Sequence, residues 1–266
     1  MIEIRSCRGF DELEACVQLQ IETWGYDESD VLPRKAYVVA QAIGGQAIGA
    51  FDTELQSGTA DSVAQSMVGF VFSLPGVKTE KDGAKPYLHS HMLAVKEAYR
   101  NRGLGRQLKL EQRLDALSRG IRYIEWTFDP LEIKNAFLNI SRLGATVRKY
   151  YENFYGVSSS RLQGGLPTDR LVAEWRLDSP RVREILDGKT AGGFEIEERI
   201  TVPAAVYAWK ASEQDRGRAV DVQAENRNRF QQAFSQGLAV LGFSLDHEGN
   251  GVFELGRVTS LEEDSI

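Results

Sequence analysis

The chain has 266 residues, with 32 Lys and Arg against 38 Asp and Glu, a formal charge of −6. Its 42% hydrophobic and 26% charged residues are globular values and exclude collagen-like, low-complexity and wholly disordered chains. The mild acidity argues against a surface built to coat nucleic-acid phosphates. Two cysteines, Cys7 and Cys16, and three histidines are too few for a disulfide framework or for a metal centre rich in either residue. Reduced thiols in the cytoplasm are the expected state. Met1 to Ser6 lack the apolar stretch of a signal peptide, and no window approaches the ~18 apolar residues of a membrane span, so no membrane partner is expected. At roughly 100–200 residues per domain, one large domain or one domain plus a smaller one fits the length.

Ile2 to Cys7 alternates apolar and polar residues and predicts a short strand. From Asp11, the residues Leu13, Cys16, Val17, Ile21 and Trp24 fall at helical spacing up to Gly25. A second helix is expected after Pro33 and before Gly44-Gly45, because Pro suits a first helical turn and Gly an exit. Gln46 to Asp52 and Met67 to Leu74 read as strands joined by the polar stretch Thr53 to Ser66, and Pro75 to Pro86 reads as a charged loop. Leu88 to Val95 is the next strand, Arg100 to Gly105 a basic glycine turn, and Leu104 to Arg119 a helix. Ile121 to Phe128 predicts a strand and Asn135 to Leu143 a helix closed by Gly144. Thr146 to Tyr151 and Arg170 to Leu177 predict an antiparallel pair. This order favours an α/β (α+β) fold, a mixed, twisted central sheet with helices on both faces. Asp178-Ser179-Pro180 reads as a boundary, which gives domains 1–177 and 178–266. The second is expected to hold a strand near Phe194 to Val202 and a long helix from Asp215 to Leu241. Two short strands come next, Phe243 to Asp246 and Gly251 to Arg257, around an Asn-Gly turn. Ser260 to Ile266 is expected to form a frayed acidic tail.

The chemistry concentrates in Leu88-His89-Ser90-His91-Met92-Leu93-Ala94-Val95 and in the turn Arg100-Asn101-Arg102-Gly103-Leu104-Gly105-Arg106. A strand there runs into a turn of glycines and arginines where a helix begins. The unpaired amides and partial positive charge of a helix N-terminus bind phosphates. Gly103 and Gly105 let a pyrophosphate approach the backbone, and the arginines add attraction. The same string also fits a basic helix start that holds no ligand. The preceding strand shifts that balance. His89 and His91 alternate with Ser90, so both project from one side. Half-buried strand histidines bonded to their neighbours are the bland alternative. Two imidazoles upstream of a phosphate-binding turn instead suit acyl transfer from a nucleotide thioester, with a proton acceptor beside the incoming amine.

Residues 88–119, with the strand at 123–128 and the helix at 135–144, resemble the core of the GNAT superfamily of acyl-CoA-dependent N-acyltransferases. The superfamily turn pattern, Gln/Arg-x-x-Gly-x-Gly/Ala, falls on Arg100, Gly103 and Gly105. Leu88, His89, His91, Leu93, Ala94, Val95, Tyr99, Arg100, Gly103 and Gly105 are similar to the central motif of the serotonin (arylalkylamine) N-acetyltransferases. Pro167 to Leu171 and Glu174 to Leu177 resemble a bacterial branch with a C-terminal extension. The resemblance covers residues 1–177 as a fold and is specific only over 88–105. It implies acetyl-CoA, or another acyl-CoA, as co-substrate and a small-molecule amine as acceptor. Leu93, Ala94 and Val95 would line the pantetheine arm, and Arg100, Asn101, Arg102, Gly103, Leu104, Gly105 and Arg106 would surround the pyrophosphate. Asn135 would reach toward the arm or simply cap its helix. His89 and His91 would take the proton from the substrate ammonium, whose free amine attacks the thioester directly. No metal is required.

One position departs from the pattern. The superfamily commonly has a Tyr four residues before the glycine that closes the helix, and counting back from Gly144 that position is Ile140. Tyr150, Tyr151 and Tyr155 are the nearby substitutes, and Tyr151 is the choice for the catalytic acid. A thiolate also leaves acceptably unaided, and both Tyr150 and Tyr151 fit as ordinary strand aromatics. Trp24-Gly25-Tyr26 fits either a wall of the acceptor pocket or a packed helix end. Asp169, Arg170, Glu174 and Arg176 fit either selection of a charged acceptor or a solvated strand face. On the C-terminal helix, Val222, Phe230, Ala233, Phe234, Leu238 and Leu241 form an apolar face expected to pack on its own strands and roof the acceptor side, with a homodimer as the rival. The alternatives to a small-molecule enzyme are an acyl-CoA sensor without turnover and a protein N-acetyltransferase.

Overall fold

A computed structural model of the protein describes residues 1–55, 65–80, 83–189 and 193–258. Contacts divide the chain into two units, Met1–Ile124 with Ser159–Arg161, and Glu125–Ser158 with Leu162–Ile266.

In the first unit β1 (Ile2–Ser6), β2 (Gln46–Asp52), β3 (Met67–Glu80) and β4 (Gly83–Val95) pair antiparallel in that order. Alternation sends one apolar set to each face of these strands. On one face lie α1 (Gly9–Trp24) and α2 (Arg34–Ala42), whose Leu13, Cys16, Leu19, Tyr37 and Ala40 pack with Phe51, Phe70, Phe72, Met92 and Ala94. On the other, Leu104 and Leu108 of α3 (Leu104–Ser118) pack with Ile48, Ala50, Val68 and Val71. Gly25 ends α1 in the left-handed region and its amide donates to Ile21 O, the exit its position predicts. Cys7 and Cys16 are buried and free, with their sulfurs 3.9 Å apart.

Residues 75–86 do not form the expected loop. Val77 pairs with Pro86 and Thr79 with Ala84, so β3 and β4 continue as a long hairpin. Most of its side chains are exposed or half-exposed. With neither face fully buried, the segment carries charge on both and shows no alternation to read. Residues 81–82 lie outside the described residues.

In the second unit the strand order is β5-β7-β6-β9-β10-β8. The ranges are β5 (Tyr123–Phe128), β6 (Thr146–Tyr151), β7 (Arg170–Arg176), β8 (Glu198–Val202), β9 (Leu238–Leu245) and β10 (Gly251–Arg257). β6 pairs antiparallel with β7, as expected, and also with β9, while β10 pairs antiparallel with β9 and β8. Trp126 of β5 meets Trp175 of β7 edge to face at 5.8 Å, and the Trp175 indole donates to Leu143 O at 2.7 Å. The helices are α4 (Ile133–Ala136), which runs into a π-helical turn over Phe137–Arg142, then α5 (Pro180–Leu186), α6 (Val206–Ala211) and α7 (Arg216–Ser235).

Three expectations change here. Asp178-Ser179-Pro180 starts a helix: Ser179 Oγ accepts from the Val182 amide at 3.3 Å and Pro180 takes the first position of α5. The contact division falls between Ile124 and Glu125, and strands before and after Leu177 pair within the second unit. The long helix stops at Ser235, before Gly237 at φ 81, and Leu238 and Leu241 belong to β9. Their spacing continued the helical pattern across the glycine and masked the stop. The buried face of α7 is Ala219, Gln223, Asn226, Phe230 and Ala233, with Gln223 donating to Pro167 O and Asn226 to Thr201 O. The expected tail, 260–266, lies outside the described residues. No helix among the described residues is long and apolar enough to cross a membrane.

Candidate active site

β3 and β4 pair Phe72 with Met92 but Ser73 with Ser90, which leaves His91 as the extra residue of a β-bulge. Side-chain direction changes there. Met92 packs toward α1 and α2, where Tyr37 Oη donates to its sulfur at 3.5 Å. Ser90 faces α3, where Lys109 Nζ donates to its Oγ at 2.7 Å. The His91 ring stands edge-on to Phe72 at 6.5 Å, and His89 lies 6.2 Å from it, centroid to centroid. Alternation through Ser90 keeps both rings on one side, and the bulge then adds Met92 to that side.

Burial has changed one of the rings. Loss of hydration, with a smaller contribution from His89, lowers the His91 pKa from 6.5 to about 4. His91 is neutral at pH 7 and a weaker proton acceptor than an ordinary imidazole.

The turn after β4 is anchored from below. Tyr99 Oη donates to Asp52 Oδ2 at 2.7 Å, which ties the turn to the end of β2. Arg100 Nε donates to Val95 O at 3.0 Å, and the Arg102 guanidinium lies 5.5 Å from the Tyr99 ring centre. Asn101 and Gly103 both have positive φ, 61° and 78°. Gly103 holds that conformation without steric cost, and as the N-cap of α3 it brings no side chain over the first amides. The first turn of this 15-residue helix contains no acidic residue. Leu104 and Gly105 therefore head a helix with no side-chain cap, beside exposed Arg100 and Arg102. Such a start fits a phosphate group. Leu93, Ala94 and Val95 pair with Val71, Phe70 and Gly69 at the end of β4. The histidine pair and the whole turn, through Arg106, thus share the first unit.

The other expected site residues belong to the second unit. Asn135 is exposed and is the third residue of α4, whose N-cap is Glu132, so it does not cap the helix. Ile140 is fully buried. Tyr150 stacks on Phe230 at 5.8 Å and donates to Asp169 Oδ2 at 2.6 Å; burial and that bond raise its pKa. Tyr155 shares a 2.9 Å hydrogen bond with Thr127. Tyr151 stacks on Phe154 at 5.1 Å, is 43% exposed, and its hydroxyl has no hydrogen-bond partner among the described residues.

Asp169 and Glu174 are not on a solvated strand face, since their residues are 0% and 5% exposed. Asp169 accepts from Tyr150, from the Asn153 amide at 3.0 Å and from Arg227 Nε at 2.8 Å. Glu174 pairs with Arg148 at 2.9 Å. Lys109 is a residue that pattern reading missed. The available signal was its place next to Leu108, which packs on the strands. Among the described residues there is no group of three or more His, Cys, Asp or Glu placed to hold a metal.

No family model matches the chain, and no curated protein does. Among solved structures, NAA60 of Arabidopsis thaliana in complex with acetyl-CoA is similar over 66% of this chain and 99% of its own, at 16% identity and a TM-score of 0.50. The ribosomal-protein-S18-alanine N-acetyltransferase from Escherichia coli is similar over 66% of this chain and 94% of its own, at 17% identity and a TM-score of 0.47. The aminoglycoside 6'-acetyltransferase type Ii gives 66% and 97%, 16% identity and 0.48. The likeness to NAA60 shows the fold, which is the mixed α+β fold of the GNAT acetyltransferases.

Proposed function

We propose that this chain, with its GNAT fold, is a cytoplasmic acyl-CoA-dependent N-acyltransferase that moves an acyl group, by preference acetyl, to a small-molecule amine. One observation carries the reading. A single strand, β4, presents two imidazoles 6.2 Å apart and then leads into an uncapped, acid-free helix start with Gly103 left-handed. Bound acyl-CoA would supply a thioester whose acyl carbon is open to attack.

The chain's own residues do the rest. Amides heading α3, with Arg100 and Arg102, would hold the pyrophosphate, and Leu93, Ala94 and Val95 the pantetheine arm. His89 accepts a proton from the substrate ammonium. The freed amine then attacks, the C–N bond forms, the nitrogen sheds its surplus proton, and the C–S bond breaks with its electron pair leaving on sulfur, which takes up a proton to depart as the free thiol. His91, neutral at pH 7, keeps the neighbourhood of His89 free of a second positive charge that would repel an ammonium. Holding both reactants in place supplies much of the acceleration. For Tyr151 and Asn135 the proposed roles, acid and arm contact, are read separately: Tyr151→Phe would lower turnover, and Asn135→Ala would weaken acetyl-CoA binding.

The second reading is a binding module without turnover, favoured by the buried Ile140 at the usual position of the acid. Free thiol released from acetyl-CoA in the presence of pooled small amines separates the two. With His89→Ala and His91→Ala combined, turnover is expected to fall about 10²–10⁴-fold while acetyl-CoA affinity holds. Unchanged turnover in that variant, or no thiol release by the native protein with any amine, overturns the enzyme reading.

A further inference from the structure

Lys109 is 2% exposed and lies on the face of α3 turned toward the strands. Its Nζ donates to Ser90 Oγ at 2.7 Å and to Gln112 Oε1 at 3.2 Å. Beside this contact, Ser73 Oγ donates to Gln46 Oε1 at 2.9 Å. Gln46 Nε2 donates in turn to Gln112 O at 3.0 Å and to Asp115 Oδ2 at 2.6 Å. Ser73, Ser90, Gln46 and Gln112 are all buried. Burial also drives the Lys109 pKa well below the ordinary lysine value.

An apolar side chain of similar length would fill this space without the cost of removing an amine from water. What the polar groups add is position. Ser73 and Ser90 are partners across β3 and β4, and they are the last pair before the bulge at His91. Backbone hydrogen bonds tolerate a bulge one residue earlier or later, and only side-chain preferences tell these registers apart. If the bulge moves one residue earlier, onto Ser90, Ser90 loses its place opposite Ser73 and facing Lys109, and His91 takes that place and leaves the side it shares with His89. The pair Phe72 and Met92 holds the register on the far side of the bulge through packing. Lys109 and Gln46 hold the near side through hydrogen bonds.

We propose that Lys109, acting through Ser90, fixes the bulge in β4 and so holds His91 beside His89, as a positioning residue for the histidine pair. The acyl-transfer reading enters only in what the pair is used for; its placement is measured without turnover. His89 is the titratable neighbour that acts on His91, and Lys109 reaches Ser90 from the opposite face.

The chain's three histidines make ring titration by NMR direct, with the exposed His247 as internal reference. In the native protein the His91 ring is expected to titrate well below an ordinary imidazole, at about 4. Lys109→Met keeps the length of the side chain and removes the donor, whereas Ser90→Ala removes the acceptor and leaves α3 untouched. Each is expected to raise the His91 midpoint by about one pH unit or more, toward its ordinary value. Each should also speed amide exchange at Ser90 to Met92 by about ten-fold, with His247 unmoved. The double variant should shift no further than Lys109→Met alone, because both substitutions remove the Lys109–Ser90 bond. Where turnover is measured, kcat should fall about ten-fold while KM for acetyl-CoA holds. An unchanged His91 midpoint in Ser90→Ala overturns the proposal, and that variant decides the matter if Lys109→Met does not fold.

Discussion

The His91 imidazole has an ordinary pKa of 6.5 and a folded one of about 4, and the direction of that difference fixes its part in acid stability. Below about 6.5 the unfolded chain takes up a proton that the folded chain refuses. The contribution of this group is therefore fully present above about 6.5 and is lost as the pH falls toward about 4, to a total of about 3 kcal/mol at most. His91→Gln removes the titration and keeps a polar side chain of similar reach. Urea unfolding at pH 7 and at pH 4.5 should show the native protein losing about 2–3 kcal/mol more than the variant between the two conditions. Equal losses would mean that the ring is solvated in the folded protein and that the bulge does not bury it. Under the proposed acyl transfer, the same burial makes the His91 ring a poorer base than an ordinary imidazole, which is why we propose His89 for the proton transfer.

At the scale of elements, the start of α3 offers a test that leaves the core alone. A Cβ built on Gly103 meets nothing within 4 Å, so the cost of Gly103→Ala is the backbone conformation at φ 78. Holding a non-glycine residue there costs about 1–2 kcal/mol. The turn is expected to relax and lose acetyl-CoA affinity about ten-fold, as calorimetric titration would read it, with little change in melting temperature. Affinity unchanged by the substitution would move the phosphate site away from this turn. Pattern reading found this element, and found β2, β6 and β10 to the residue, because burial on a face or a turn glycine marks their ends. It lost the outer part of the β3–β4 hairpin, where side chains face solvent, and it ran α7 through Gly237. Asp169 was hidden for another reason. Its burial depends on Arg227, a partner 58 residues away, and no local pattern reports a contact of that range. The bulge at His91 was equally invisible, because it is a property of two strands and only one of them carries the motif.

For the whole molecule, the informative question is whether residues 1–177 fold without 178–266. Within the second unit, the elements before residue 178 lean on those after it. Val147 of β6 faces Val240 of β9, Tyr150 stacks on Phe230 of α7, and Arg181 donates to Gly144 O and Leu241 O. Arg227 supplies one of the three hydrogen bonds that satisfy the Asp169 carboxylate, which is wholly removed from solvent. Ending the chain after Leu177 uncovers Val147 and leaves Asp169 without its cation. Removing one partner of a buried ion pair costs about 3–5 kcal/mol, against a total stability of about 5–15 kcal/mol for a domain, before the lost apolar contacts are counted. The shortened chain is therefore expected to aggregate, or to keep its far-ultraviolet dichroism while losing the near-ultraviolet signal of Trp126 and Trp175. The discriminating control is Arg227→Met in the full chain, which keeps a side chain of similar length and removes the guanidinium with its bonds to Asp169 and Glu152. It should unfold at lower urea concentration and remain cooperative. If residues 1–177 instead give a soluble protein with a sharp thermal transition, the pairing of β6 with β9 is dispensable, and residues 178–266 are an addition to a fold that is complete without them.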